Sequence, residues 1–411
     1  NCPMNLDFSP EGFGSHAIHS TSIANGENAH LFPIVASSTF VFDSAEQGMR
    51  RFSGEEKGFI YSRFGNPTTS AAAGVIAGLE TFNIKDKEGK QLQAGALLHA
   101  SGQSAMATML LSNLSAGDGI LSHYSLYGGT HEFIYGFLAK LGISSVIEDF
   151  SDLNKVEDIL KKHAHIKLIH VETPANPTMN CVDLAGICTL AKRYNAKVTV
   201  DNTFATPYLQ QPFKFGVDFI FHSTTKFLNG HGTSIGGVLV GKDAEFMKKK
   251  GYETYKLLGG CASPFDAYLL MQGVRTLEVR MKQHCENAMQ VANFLSGHPA
   301  IEKVNYNGLS SHPDHALSSK QMRHAGAVMS FELKKGLEGG KQFINNLKMC
   351  TKAVSLGTVD TLISHPASMS HSGMLREDRI KSGVTDGLIR MSVGLENIND
   401  LLNDIDQALK K

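Results

Sequence analysis

The chain has no tryptophan, no surplus of either charge and no long apolar run, and these last two absences exclude whole classes of function. Lys+Arg and Asp+Glu each number 39, so the formal net charge is zero. A zero balance removes the electrostatic case for nucleic acid or an anionic membrane surface as partner. No apolar stretch reaches the roughly 18 residues that a bilayer-spanning helix needs, so no membrane partner is expected. Cysteine is sparse: Cys2, Cys181, Cys188, Cys261, Cys285 and Cys350 are scattered, and none forms a C-x-x-C pair. In a chain of 411 residues this reads as reduced thiols and a cytoplasmic setting, not a disulfide framework. The opening Asn-Cys-Pro-Met-Asn-Leu-Asp lacks the basic start and apolar run of a signal peptide. There is no low-complexity linker and no internal repeat.

What is present is an ordinary globular composition. Hydrophobic residues make up 42% and charged residues 19%, enough apolar surface to bury a full core and exclude disorder as the main state. Glycine is abundant at 40 residues, which points to tight turns and close backbone approaches to a ligand. From about residue 94 a regular rhythm begins. Short apolar segments at 96–98, 120–122, 144–147, 167–171, 197–200, 219–221 and 237–240 read as strands. Helical patterns at 103–115, 130–141, 153–163 and 183–194 separate the first five. Such alternation implies βαβ units and a mostly parallel sheet with helices on both faces, the α/β class. Residues 267–296 read as one long helix. Beyond it, strands at 328–333 and 388–393 and helices at 339–347 and 397–410 predict a C-terminal α+β domain. The first sixty or so residues read as irregular. Three segments result: an arm at 1–65, a main domain at 66–275 and the C-terminal domain at 276–411. Lys85-Asp-Lys-Glu-Gly-Lys90 reads as a charged surface loop.

Ligands of open parallel sheets bind at the carboxyl ends of the strands. The strands are followed by Ser101-Gly102-Gln103, by Tyr124-Ser-Leu-Tyr127-Gly-Gly129, by Glu172-Thr-Pro-Ala-Asn176-Pro, by Asp201-Asn-Thr203 and by His222-Ser223-Thr-Thr225-Lys226. Small residues entering a helix make an anion site, while an acid, an aromatic ring and a lysine stand on neighbouring strand ends. Taken singly each is ordinary: a lysine in Ser-x-x-Lys is usually solvated, and a strand-end Asp is usually a turn or cap residue. Together they match pyridoxal 5'-phosphate (PLP). Lysine suits its aldehyde, the acid its ring nitrogen, the aromatic its ring face and the helix N-terminus its phosphate.

The chain resembles the cystathionine γ-synthase-like family of PLP enzymes in cysteine and methionine metabolism, from about Gly14 to Leu409. The resemblance rests on Tyr61-Ser-Arg-Phe-Gly-Asn-Pro-Thr68, Glu172-Thr-Pro-Ala-Asn-Pro177, Asp201-Asn-Thr-Phe-Ala-Thr-Pro207, Ser223-Thr-Thr-Lys226, His365-Pro-Ala-Ser-Met-Ser-His371 and Leu388-Ile-Arg-Met-Ser-Val-Gly-Leu-Glu396. It implies the aminotransferase-like fold type I. It also implies that Lys226 is the Schiff-base lysine, Asp201 the partner of the pyridine nitrogen and Thr203 a ring neighbour. Tyr127 would stack on the ring and move protons, making Lys226, Tyr127 and Asp201 the catalytic set. Gly102 and Gln103 would bind phosphate through their backbone, although the family usually has Met where Gln103 stands; Ser223 and Thr225 would add hydroxyls. Arg390 would clamp the substrate α-carboxylate, a bidentate task suited to arginine, helped by Asn176 and Ser355. Tyr61 and Arg63 would reach the cofactor phosphate of a neighbouring subunit, implying a homotetramer built from dimers with shared sites.

The subtype divides on a few residues. Ala353-Val-Ser-Leu-Gly357 lacks the acid expected near a second amino-acid head, which disfavours cystathionine as substrate. Phe42-Asp-Ser-Ala-Glu-Gln-Gly48 and the C-terminal third resemble methionine γ-lyases. Gly129 replaces the lyase cysteine, His231-Gly-Thr-Ser-Ile-Gly-Gly237 and Cys261-Ala-Ser-Pro-Phe-Asp-Ala267 resemble sulfhydrylases, and Tyr255-Lys256 falls on the lyase Lys-Asp pair. The expectation from these residues is O-acetyl-L-homoserine sulfhydrylase, a transferase replacing at Cγ, with methionine γ-lyase, a carbon–sulfur lyase, as alternative. Residues 83–93 are longer than usual in the family, without an assigned role. Rival classes are weaker. Ser223-x-x-Lys226 matches the serine acyltransferase motif and Lys381-Ser-Gly383 partly extends it, but no Ser-Asp-Asn accompanies it. His312-x-x-His315 and His163-x-His165 have no third ligand at useful spacing, so no metal is expected. Gly230-x-Gly232 precedes a strand where a dinucleotide motif would open a helix.

Overall fold

The structure, a computed structural model, describes residues 10–410 except 24, 27, 371, 374 and 382. Cys2, His371 of the His365 motif and Ser382 of the Lys381 run lie outside the described residues. Seven strands form the larger sheet: β1 (Gly95–His99), β2 (Gly119–His123), β3 (Ser144–Glu148), β4 (Ile166–Glu172), β5 (Lys197–Asp201), β6 (Phe219–Ser223) and β7 (Gly237–Gly241). Their order is β1-β7-β6-β5-β4-β2-β3. The contacts of β2 with β3, β2 with β4, β4 with β5 and β5 with β6 are parallel, whereas β7 runs antiparallel to both neighbours. Side-chain alternation splits each central strand between two cores. On one face Leu121, Ile169, Val198, Ile220 and Val238 join a cluster; on the other Ile120, Leu168, Phe219 and Leu239 join a second. Both faces are covered, which is why these strands read as nearly continuous apolar runs.

The smaller sheet contains β8 (Ile301–Asn305), β9 (Val328–Leu333), β10 (Thr351–Lys352), β11 (Leu362–Ser364) and β12 (Leu388–Ser392), in the order β10-β11-β12-β9-β8. Only β10 with β11 is parallel. Helix Leu277–Ser296 joins the two bodies. Leu277 and Met281 pack into a core of the larger sheet, and Val291 and Leu295 into that of the smaller. The single helix expected over 267–296 is two, Pro264–Val274 and Leu277–Ser296. The reason lies at Gly273. Its carbonyl accepts from Thr276 N at 3.2 Å, from Thr276 Oγ1 at 3.2 Å and from Arg280 Nη2 at 2.7 Å, which diverts it from the helical ladder. Arg280 Nη1 also donates to Phe227 O at 2.8 Å, tying the helix junction to the residue after Lys226.

The described residues among the first sixty are more ordered than their sequence suggests, with helices Phe13–His19 and Ala45–Ser53, and Pro67–Glu80 follows directly. The last of these is capped by Asn66 and has Pro67 at its first turn. It is buried nearly all round by Ala72, Ala73, Val75, Ile76 and Leu79, so no amphipathic stripe marks it in the sequence. The charged segment 85–91 is a short hairpin closed by a Lys85–Gln91 bridge. At the end of Pro67–Glu80, fully buried Glu80 accepts from His222 Nε2 at 2.5 Å and from Asn202 Nδ2 at 3.0 Å. Asn202 and Gln210 bond each other at 3.0 Å, and Gln321 donates to Gln210 Oε1 at 2.9 Å. This buried polar chain threads behind the strand ends. Truncating Glu80 to Ala leaves the His222 Nε2 without its partner and removes one of the two acceptors of Asn202 Nδ2, a change that costs about 1–3 kcal/mol per unsatisfied group. A clear fall in the thermal midpoint of Glu80→Ala by calorimetry is the expected outcome.

Candidate active site

The carboxyl ends of β4, β5 and β6 converge because the strands are parallel and in register, Glu172 opposite Asp201 and Asp201 opposite Phe221. Asp201 Oδ1 accepts from Thr203 N at 3.0 Å and Thr203 Oγ1 at 2.5 Å. The same threonine oxygen accepts from Ser223 N at 2.9 Å, so one hydroxyl orients the acid and locks it to β6. Lys226 follows in the turn after β6. Its Nζ donates to Ser355 Oγ at 2.6 Å, and Ser355 O accepts from Arg390 Nη2 at 2.7 Å. Ser355 adopts φ +102°, a conformation costly for a residue with a side chain. It persists where Arg390 holds its carbonyl and its hydroxyl faces the lysine. Burial first, and Arg390 second, push the Lys226 ammonium down to about 8. Burial likewise lowers Arg390, which stands in β12 between Ser330 and Ser364.

Around this pair the remaining site residues take their places. Gly102 and Gln103 open helix Gly102–Asn113, and the first N–H groups of a helix lie outside its hydrogen-bond ladder. A Cβ on Gly102 would come within 2.9 Å of Ser223 Cβ, so glycine lets the helix start meet the end of β6. The Thr225 hydroxyl is engaged with Gly236, accepting from its N–H at 3.0 Å. Tyr127 lies at the entrance, 55% exposed. Gln103 Nε2 donates to Gly129 O at 3.0 Å, and a Cβ on Gly129 would meet Tyr127 Cε1 at 2.8 Å and Gln103 Oε1 at 3.0 Å. The two departures from the family pattern, Gln103 and Gly129, are therefore one packing solution. Tyr61 and Arg63 stay apart from the Lys226 group. Arg63 donates to Lys256 O at 2.8 Å and lies over the Tyr61 and Phe64 rings.

Glu172 was quoted in a motif but given no role by the sequence. It is buried, accepts from Tyr127 N at 2.6 Å and Asn176 N at 3.1 Å, and faces Asp201. Burial, then Asp201, push its carboxyl up to about 8, and burial raises Asp201 as well. Two acids at the ends of adjacent parallel strands are the signal that pointed to it. Asn176 Oδ1 is buried with no partner in the chain, an acceptor left for a ligand. Among the described residues no group of three His, Cys, Asp or Glu is placed to hold a metal, and the cysteines 181, 188, 261, 285 and 350 are unpaired. No helix among them is long and apolar enough to cross a membrane.

An amine poised near neutrality, a carboxylate held at fixed orientation, a helix start shaped by glycine and an orphaned acceptor fit an aldehyde cofactor carrying a ring nitrogen and a phosphate. The comparison with known proteins agrees: the family model for Cys/Met metabolism PLP-dependent enzymes matches residues 14–410. The chain belongs to that family. It is a PLP-dependent enzyme of sulfur amino-acid metabolism, with the fold type I architecture. It is 44% identical over 401 residues to the L-methionine gamma-lyase of Fusobacterium nucleatum subsp. polymorphum, covering 97% of this chain and 98% of that one. It is 36% identical to the O-succinylhomoserine sulfhydrylase of Pseudomonas aeruginosa, covering 99% and 97%. A crystal structure of cystathionine gamma synthase from Xanthomonas oryzae pv. oryzae matches with a TM-score of 0.89 at 35% identity, covering 98% of each chain.

The lowered ammonium gives a direct test. In the cofactor-free protein, reductive alkylation of Lys226 by a simple aldehyde, read by peptide mass spectrometry, is expected to rise with pH through about 8 and level off above it. Surface lysines near the ordinary value of about 10.4 keep rising. A Lys226 midpoint among those of the surface lysines contradicts the geometry.

Proposed function

We propose that the enzyme eliminates the γ-substituent of L-methionine, giving methanethiol, 2-oxobutanoate and ammonia with uptake of one water. The observation that carries this reading is the end-to-end 44% identity to a methionine γ-lyase, against 36% to a sulfhydrylase. It reverses the order reached from the residues alone, in which γ-replacement on O-acetyl-L-homoserine came first.

The geometry supports the following roles. Lys226, Asp201, Thr203, Ser223 and Thr225, with the backbone of Gly102 and Gln103 and the ring of Tyr127, would hold PLP, which bound there would supply an electron sink for charge developing at Cα. Arg390 takes the substrate α-carboxylate, with Asn176 Oδ1 turned to the bound amino acid. The Lys226 amine, lowered to about 8 by burial and Arg390, takes the Cα proton and then a Cβ proton, so that the Cγ–S bond breaks with its electron pair leaving on sulfur and a proton is later gained at Cγ. Ser355 Oγ, 2.6 Å away, keeps that amine aimed. The Tyr127 hydroxyl stands at the entrance to protonate the departing sulfur. Asp201, aligned by Thr203, would stabilise positive charge on the ring nitrogen.

A second reading, γ-replacement by sulfide or a small thiol, is favoured by the Gly129–Gln103 packing, in which a side chain at 129 would press on Tyr127 Cε1 and Gln103 Oε1. One preparation decides. The kcat/KM for L-methionine is expected to exceed that for O-acetyl-L-homoserine plus sulfide by about tenfold, roughly 1.4 kcal/mol of transition-state preference. The reverse ratio selects replacement.

We further propose a homotetramer of dimers in which residues 1–65 serve the neighbouring site. Tyr61 and Arg63 are turned from their own Lys226, and Val41, Met49 and Phe52 are exposed at 88%, 69% and 66%. A cluster of exposed apolar side chains marks a protein interface. Mixing Arg63→Ala with Lys226→Ala subunits is expected to restore activity, at most one working site per hybrid dimer. Mixed dimers as inactive as their parents show that each site is built within one chain.

A further inference from the structure

Glu172 has a different character from the residues above. Its side chain is 3% exposed and touches two backbone groups from two separate loops. Oε2 accepts from Tyr127 N at 2.6 Å, and Oε1 accepts from Asn176 N at 3.1 Å. We propose that Glu172 is a positioning residue whose carboxyl group sets Tyr127 and Asn176 together, tying the leaving-group side and the carboxylate side of the substrate site to the end of β4.

The surroundings of each loop show why such a tether is needed. Tyr127 precedes helix Gly128–Glu132, which has no side-chain cap, and its ring is more than half exposed. The backbone bond to Glu172 therefore anchors a side chain that its own packing leaves loose. Asn176 stands between Pro174 and Pro177, neither of which can donate a backbone hydrogen bond, so its own N–H is the donor available there. A carboxyl group offers two acceptor oxygens; the amide of glutamine offers one and turns an NH₂ toward the second N–H. That requirement explains an acid kept beside Asp201 although burial and Asp201 push its carboxyl up to about 8. A residue serving packing alone would gain by losing the charge.

The inference rests on the proposed roles of Tyr127 and Asn176 and holds for elimination and replacement alike. The test is Glu172→Gln in the holoenzyme. Breaking one tether is expected to weaken binding of L-norleucine, which has no γ-leaving group, by roughly tenfold. Cofactor absorbance reads that binding without turnover. For L-methionine, KM is expected to rise and kcat to fall, with cofactor content unchanged. Norleucine affinity, KM and kcat all within twofold of wild type, whatever the melting temperature, overturn the proposal. If the variant fails to fold, hydrogen exchange on the wild-type holoenzyme decides. Protected Tyr127 and Asn176 amides support the tether, and exchange at open-loop rates for both overturns it. Neither norleucine binding nor exchange depends on which reaction the enzyme performs, so a failed lyase assay leaves this test intact.

Discussion

The chain of bonds from Lys226 through Ser355 to Arg390 is the constraint on which the rest of the site depends. Lys226 belongs to the turn after β6 of the larger sheet, while Ser355 and Arg390 belong to the smaller-sheet region. The lysine amine and the arginine guanidinium are thus held by two bodies joined through helix Leu277–Ser296. Their closeness has a cost and a use. Two cations in a partly dry site repel, and that repulsion adds to burial in bringing the lysine toward neutrality, where it can both accept and release a proton.

The acids are arranged by the same logic. Parallel register places Glu172 and Asp201 side by side, and neither can ionise freely without the other resisting. The protein answers with donors: two backbone N–H groups for Glu172 and the Thr203 N–H and hydroxyl for Asp201. Behind them the Glu80, His222, Asn202 and Gln210 chain satisfies polar groups that would otherwise be buried alone, and it fixes residues adjacent to the strand ends.

The seven strands of the larger sheet were legible because fully covered strands are short, apolar and punctuated by turns, and helices Leu153–Lys162 and Leu184–Arg193 between them carry apolar stripes. Helix Pro67–Glu80 was not, since burial on every side erases the stripe. The break at Arg275 and Thr276 was hidden as well, because it is made by Arg280 reaching back to the Gly273 carbonyl, a contact without local sequence signature. Strands β8, β10 and β11 escaped notice: β10 and β11 are only two and three residues long, and β8 is defined by pairing with β9, a segment distant in the chain.

The sequence by itself determined the strand order of chemistry: which residues end which strands, and hence that Asp201, Ser223 and Lys226 meet a helix start at Gly102. Parity and periodicity suffice for that, because parallel strands deliver their carboxyl ends to one edge. Only the tertiary structure decided what those residues touch. Ser355 lies 129 positions from Lys226, and Glu172 lies 45 from Tyr127. Contacts of that span depend on how two sheets and their loops pack. The charge state of the lysine, the partner of the buried glutamate and the close contacts around Gly129 are properties of that packing and of the solvent it removes.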